Sequence, residues 1–260
     1  MRHITEPGLP AVAFLAGLCL FGLLMAGAVP TLAQDAPGDP MHLPEIFDLS
    51  LGAPASAQPE EEFIDYACGT GGGPPGKPVG SFLDYADCPA EASGLHEIAF
   101  RYDDELAYRL LARGMTNAAE TNGGTRISVY PIFASALFDG DGILRGLRAV
   151  SDDRIALMFR SNAYLLADAI IVRFGPDGWD CRDIPPNAEH KPMSGRYVNR
   201  SCSKSVDGKL LHTESRFFAK AGQRAIDPYS GRINHGQFES SARLEVRQAG
   251  AAVDANGRPW

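Results

Sequence analysis

The residues best suited to chemistry lie in one connection near the end of the chain, residues 220–236, which carries Arg224, Asp227, Tyr229, Arg232, Asn234 and His235. A stretch of this length without periodic pattern is uncommon inside a domain and is often functional. His235 and Asp227 form the nearest general acid/base pair, provided the fold brings them within hydrogen-bond reach of a substrate. Arg224 and Arg232 offer bidentate donors and Tyr229 a stacking face, a combination that suits an anionic or sugar-like ligand. The competing reading is a solvated hairpin loop ordered by turns at Asp227-Pro228 and Ser230-Gly231. Residues 185–194 form a second candidate loop.

Sulfur is the other reactive chemistry. Cys19 falls in an N-terminal apolar run, which leaves Cys68, Cys88, Cys181 and Cys202. There is no Cys-x-x-Cys and no His at ligand spacing from any of the four, so no metal and no cofactor is expected. Disulfides are expected instead, and four cysteines permit three pairings. Pairing of sequence neighbours, Cys68 with Cys88 and Cys181 with Cys202, would close two loops of about 20 residues, each worth about 3 kcal/mol in the chain-entropy account. Such bridges persist in oxidising compartments.

Three short patterns imitate known sites. Gly71-Gly72-Gly73-Pro74-Pro75-Gly76-Lys77 fits the opening of a phosphate-binding loop. Pro78 stands where Ser or Thr would meet magnesium, and Pro74 and Pro75 remove two backbone N–H groups of the kind such a loop points at phosphate. A bridged surface loop is expected, and no nucleotide. Asp139-Gly140-Asp141-Gly142 opens like a calcium loop, but Val150 occupies the position of the bidentate Glu, so a hairpin turn is expected. Ser201-Cys202-Ser203-Lys204 matches Ser-x-x-Lys on a strand, with no helix to present the serine and no Lys-Thr-Gly after it. His96 and His212 also fall on strands and are expected to be satisfied or solvated.

Between residues 9 and 33 there is no charge, and the apolar run through Phe14, Leu18, Phe21 and Leu24 is preceded by Arg2 and His3. That is the pattern of a secretory signal over residues 1–33, with Thr31 and Ala33 as small residues before cleavage at Gln34. The run also has the roughly 20 residues of a membrane span. An uncleaved N-terminal anchor is therefore the alternative to a periplasmic or secreted location, and membrane contact is expected only in that case. Residues 34–62 read as a flexible acidic Pro/Ala-rich tether. From 34 to 76 there is no Lys or Arg, while Asp35, Asp39, Glu45, Asp48, Glu60, Glu61, Glu62 and Asp65 account for the net charge of −8. The body is neutral, without the clustered basic face that nucleic-acid binding requires. Residues 43–51 are the one apolar part of the tether that could dock on the body or on a partner.

The elements that must position these groups follow from periodicity. Residues 95–102 alternate as a strand. Asp103 caps a helix carrying Leu106, Leu110 and Leu111, stopped by Gly114. Residues 126–138 and 143–150 form a hairpin around the Asp139 turn. Leu157, Met158, Leu165, Leu166, Ile170 and Phe174 suit a second helix, and a short strand holds Trp179 and Cys181. Residues 196–205 and 209–219 form a hairpin around Asp207-Gly208, and residues 237–247 alternate between an apolar and a wet face. The body, residues 63–250, is the size of one domain, followed by a frayed tail at 251–260. The predicted fold class is α+β: an antiparallel sheet of about six to seven strands with two main helices packed on one face, after a disordered N-terminal arm. With no catalytic constellation in sequence, the expectation is an exported, disulfide-stabilised cell-envelope or periplasmic module, a non-catalytic binding or structural protein whose partner would be an envelope protein or a glycan. The alternative is an extracytoplasmic hydrolase whose acid/base site assembles near residues 220–236.

Overall fold

The chain's β-branched and aromatic runs become strands, and its Gly-containing pairs become the turns between them. The computed structural model describes residues 43–154, 157–193, 195–220 and 238–249. In chain order these hold β1 (Phe63–Cys68), β2 (His96–Tyr102), α1 (Glu105–Ala112), α2 (Thr116–Asn122), β3 (Arg126–Ile127), β4 (Tyr130–Phe138) and β5 (Leu144–Ser151). There follow α3 (Leu157–Arg160), α4 (Leu166–Arg173), β6 (Asp180–Asp183), β7 (His190–Lys191), β8 (Val198–Val206), β9 (Lys209–Lys220) and β10 (Phe238–Gln248). The β8–β9 turn has Asp207 at φ 48° and Gly208 at φ 69°, the two left-handed positions whose twist matches the flanking strands.

All strand neighbours are antiparallel, in the order β1-β2-β4-β5-β10-β9-β8-β6, with β3 on β4 and β7 on β9. Two meanders therefore meet where β10, the last strand, returns to lie between β5 and β9.

This overturns the expected fold class. The described chain is mostly one antiparallel sheet, with ten strands, four short helices, 41% strand and 22% helix, and not a sheet carrying two main helices. The first expected helix forms as α1, but none of its residues is buried, and it packs on α2 rather than on the sheet. The second is interrupted. Asn162 leaves helical geometry at φ −109°, ψ 6°, and a tight turn over Ala163–Leu165 separates α3 from α4. Asn competes for backbone partners and favours such breaks over helix interiors. α4 packs on the sheet through Leu166, Ala167 and Ile170, and the turn before it through Tyr164, whose ring centroid lies 4.8 Å from that of Phe217 in β9.

The arm differs as well. Residues 43–62 are packed, not disordered, and belong to the compact unit that begins at Leu43. Ile46 is fully buried, Leu49 and Ala55 nearly so, and Ile46 N–H donates to Tyr102 Oη at 2.8 Å. Leu144 N–H donates to Ala53 O at 3.0 Å and Gly52 N–H to Leu144 O at 2.8 Å, which straps the segment across the start of β5. The segment is too poor in apolar residues to build its own core, but its few apolar side chains complete the common one. The expected signal and residues 34–42 lie outside the described residues, as does the tail at 251–260.

The apolar face of the sheet carries that core. Phe63, Phe82, Phe100 and Phe138 pack edge-to-face or tilted, with centroids 4.7 to 6.0 Å apart. Phe82 is brought in by a short helical turn, Phe82–Asp87, between Cys68 and Cys88. Both disulfides join sequence neighbours, Cys68 to Cys88 and Cys181 to Cys202. No helix among the described residues is long and apolar enough to cross a membrane.

Candidate functional site

On the other face, one cross-strand row passes through Ala67, Ala99, Ser135, Arg148, Glu245, His212 and Ser203, each the register partner of the next. Period-2 alternation puts these residues opposite the aromatic core. The row divides into a charged centre, a polar end and an open end.

The charged centre is buried. Arg148, Glu97, Glu245 and Arg247 are between 0 and 3% exposed. Arg148 Nη1 lies 2.5 Å from Glu91 Oε1 and 2.9 Å from Glu97 Oε2, and its Nε donates to Glu245 Oε1 at 2.5 Å. Glu245 also accepts from Arg243 and Arg247, at 2.5 and 3.2 Å. Three carboxylates meet three guanidinium groups, so the layer is neutral. Burial would lift the Glu91 carboxyl, but the hydrogen bond and charge of Arg148, with Arg247 behind it, hold it below its ordinary value. Burial drags the Arg247 guanidinium down despite Glu245, whereas the surrounding carboxylates outweigh burial at Arg148 and raise it. Sequence alternation read Glu245 and Arg247 as wet. The available signal was the run of opposite charges, Arg243, Glu245 and Arg247, on one face of an otherwise well-patterned strand.

The glycine-rich loop lids this centre. Gly71 N–H donates to Glu97 Oε2 at 2.6 Å, and Arg243 Nη1 donates back to Gly71 O at 2.7 Å. The backbone donor of the pseudo-phosphate loop is thus spent on a carboxylate of the protein. Close approach explains the glycines. A Cβ at Gly69 would sit 2.1 Å from Glu97 Cδ, and one at Gly72, at φ +92°, would sit 2.2 Å from Val150 Cγ2. The other imitating patterns are structural too. Asp139 Oδ1 accepts from the N–H groups of Asp141 and Ile143, at 3.0 and 2.9 Å, as a turn residue does. Ser201 and Lys204 sit on opposite faces of β8, with Lys204 Nζ donating to Phe174 O at 2.6 Å and Ser201 facing His212.

The polar end carries a Ser–His–Glu set. His212 Nδ1 is 2.9 Å from Ser203 Oγ, and its Nε2 is 3.5 Å from Ser201 Oγ and 3.8 Å from Glu214 Oε1. His212 beside it, against the penalty of burial and helped by Arg216, holds Glu214 below its ordinary value. A nucleophilic serine would also need donors aimed at an oxyanion. Ser203 lies mid-strand between β6 and β9, where the ladders occupy the backbone N–H groups. His96 Nδ1 lies 2.7 Å from Cys88 O.

At the open end the row floors a cleft of about 770 Å³. Ala67 and Ala99, small cross-strand partners on β1 and β2, leave the space, and Phe133 of β4 bounds it. Pro75, Gly76 and Pro78 of the bridged loop form one wall, and Gly123 to Arg126, after α2, another. Arg101, Arg126 and Arg154 line it from three elements. Arg101 Nη1 donates to Asp65 at 2.9 Å, and Arg154 grips Asp152 through Nε and Nη2 at 3.1 and 2.9 Å. The Arg154 guanidinium also lies over the Phe133 ring at 4.4 Å. Burial pulls the Arg126 guanidinium below its ordinary value, against the attraction of Asp104.

Arg224, Asp227, Tyr229, Arg232 and His235, the residues singled out by sequence, lie outside the described residues. Pro185 and Pro186 of the second candidate loop, with Ile184 just before it, border a hollow of about 390 Å³ with Tyr197, Asn199 and Arg200. None of the cleft arginines stood out in sequence, because each comes from a different element and only the register brings them together. Comparison of the chain with protein-family models, with curated proteins and with solved structures found no match.

Proposed function

We propose that this chain is an exported, non-catalytic binding module of the cell envelope or periplasm, and that it takes its ligand in the cleft over β1, β2 and β4. The observation that carries the reading is the cleft: a volume of about 770 Å³ with an apolar floor and a few charged groups around it. Ligand sites have this make-up and typically span about 300–1,000 Å³. Its described lining includes Asp, Arg and Thr but no His, Cys or Ser, a composition that favours holding a molecule over acyl transfer to or from it. The two disulfides fit an oxidising environment, which supports maturation outside the cytosol.

The test is titration of the oxidised protein with a neutral solvatochromic dye. Saturable binding that is lost in Ala99→Leu, a variant that fills the floor, is the expected result. Equal binding by both proteins, or none by either, removes the cleft as the site.

A further inference from the structure

We propose that the cleft selects ligands that join an apolar body to a single carboxylate. The inference rests on the reading of the cleft as a binding site and adds the chemistry of its occupant. Three features of the lining point to it.

The floor is apolar and shaped by small residues. Ala67 and Ala99 face each other across β1 and β2, and Phe133, Pro75 and Pro78 extend the apolar surface, so a chain or ring laid there is removed from water without stranding polar groups. Three guanidinium groups, Arg101, Arg126 and Arg154, line the cleft, with Asp65, Asp152 and, behind Arg126, Asp104 as their carboxylate neighbours.

The guanidinium groups also keep donors in reserve. A guanidinium has five N–H donors. Asp65 occupies only Nη1 of Arg101, and Asp152 occupies Nε and Nη2 of Arg154, which leaves Arg101 Nε and Nη2 and Arg154 Nη1 without an acceptor among the described residues. The Asp152 grip and the Phe133 ring beneath fix the plane of Arg154, so little side-chain freedom would be lost when an oxyanion docks.

The test uses the full oxidised protein and three probes of equal chain length below their micellar concentrations: decanoate, decanol and decyltrimethylammonium. Affinities are read by calorimetry for the wild type, for Ala99→Leu, and for Arg154→Met combined with Asp152→Asn, which removes the ion pair without changing net charge. Thermal melts confirm that each variant is folded. The expected result is decanoate binding at least about tenfold tighter than either other probe, weakened at least about tenfold by the double variant, as the loss of a charge-assisted hydrogen bond implies. Decanoate and decanol binding alike, or a double variant that binds decanoate as the wild type does, overturns the carboxylate preference and leaves the cleft as an apolar binding site. No probe binding, or decanoate binding unchanged in Ala99→Leu, overturns the cleft itself.

Discussion

Replacing Arg148 by methionine tests whether the buried ionic layer holds the second face of the sheet. Arg148 is 2% exposed and touches Glu91, Glu97 and Glu245 at 2.5 to 2.9 Å. Without it, three carboxylates face only Arg243 and Arg247, so one buried negative charge has no partner. Breaking a buried pair by removing one member costs about 3–5 kcal/mol. For a domain of this size each kcal/mol moves Tm by about 2–4 °C, so Arg148→Met should melt about 6–20 °C below the wild type. Adding Glu97→Gln restores charge balance, since glutamine still accepts from Gly71 N–H and Glu245 keeps both remaining arginines. The double variant should recover at least about half of the loss, a coupling of the kind expected within one network. Circular dichroism melts and urea midpoints at neutral pH, under oxidising conditions, read both effects. A single variant within about 2 °C of the wild type, or a double variant no more stable than the single, would show that the ionic layer does not hold this face.

Three further outcomes follow from the same geometry. Glu91 is held below its ordinary value of 4.5, so its contribution to stability is complete above that value and is lost as pH falls through the lower folded-state value. Urea midpoints should hold from neutral pH to about pH 5 and fall below about pH 4.5, and the fall should shrink in Arg148→Met/Glu97→Gln. Burial raises Tyr102 above its ordinary value of 10.0, so stability should decline as pH rises past 10.0. Tyr102→Phe should lessen that decline, to which Tyr66 and Tyr130, also raised by burial, contribute, and cost about 1–3 kcal/mol at neutral pH by orphaning Ile46 N–H, read by denaturation across pH. Cys68→Ser with Cys88→Ser should cost about 3 kcal/mol and speed amide exchange at Gly71. Unchanged exchange there would show that Arg243 and Glu97 hold the loop without the bridge.

Much of the local structure was legible because local chemistry decides it. Asp207-Gly208 requires two left-handed residues, and Asp139 caps its own turn, so both hairpins could be read directly. The alternation in β10 is clear because its core face must be apolar. What escaped depends on distant partners. Leu106, Leu110 and Leu111 mark a helix in sequence, yet nothing local says that α1 packs on α2 and not on the sheet. Ile46 belongs to the apolar stretch 43–51 that could dock, but nothing local says that it seats on Tyr102 and completes the core. Glu245 reads as solvated because its neutralising partner, Arg148, is 97 residues away in sequence. The cleft was hidden for the same reason. Alanine at 67 and 99 carries no signal alone, and becomes a floor only when the register pairs the two.

A backbone ¹H–¹⁵N NMR map of the oxidised protein, titrated with decanoate, tests most directly whether the cleft over β1, β2 and β4 holds a ligand. Saturable shifts concentrated at Ala67, Ala99, Thr125 and Phe133 are expected, with the Ser203–His212 end of the row unmoved. Shifts that centre on His212, or spread over the surface without saturation, would show that the cleft holds none.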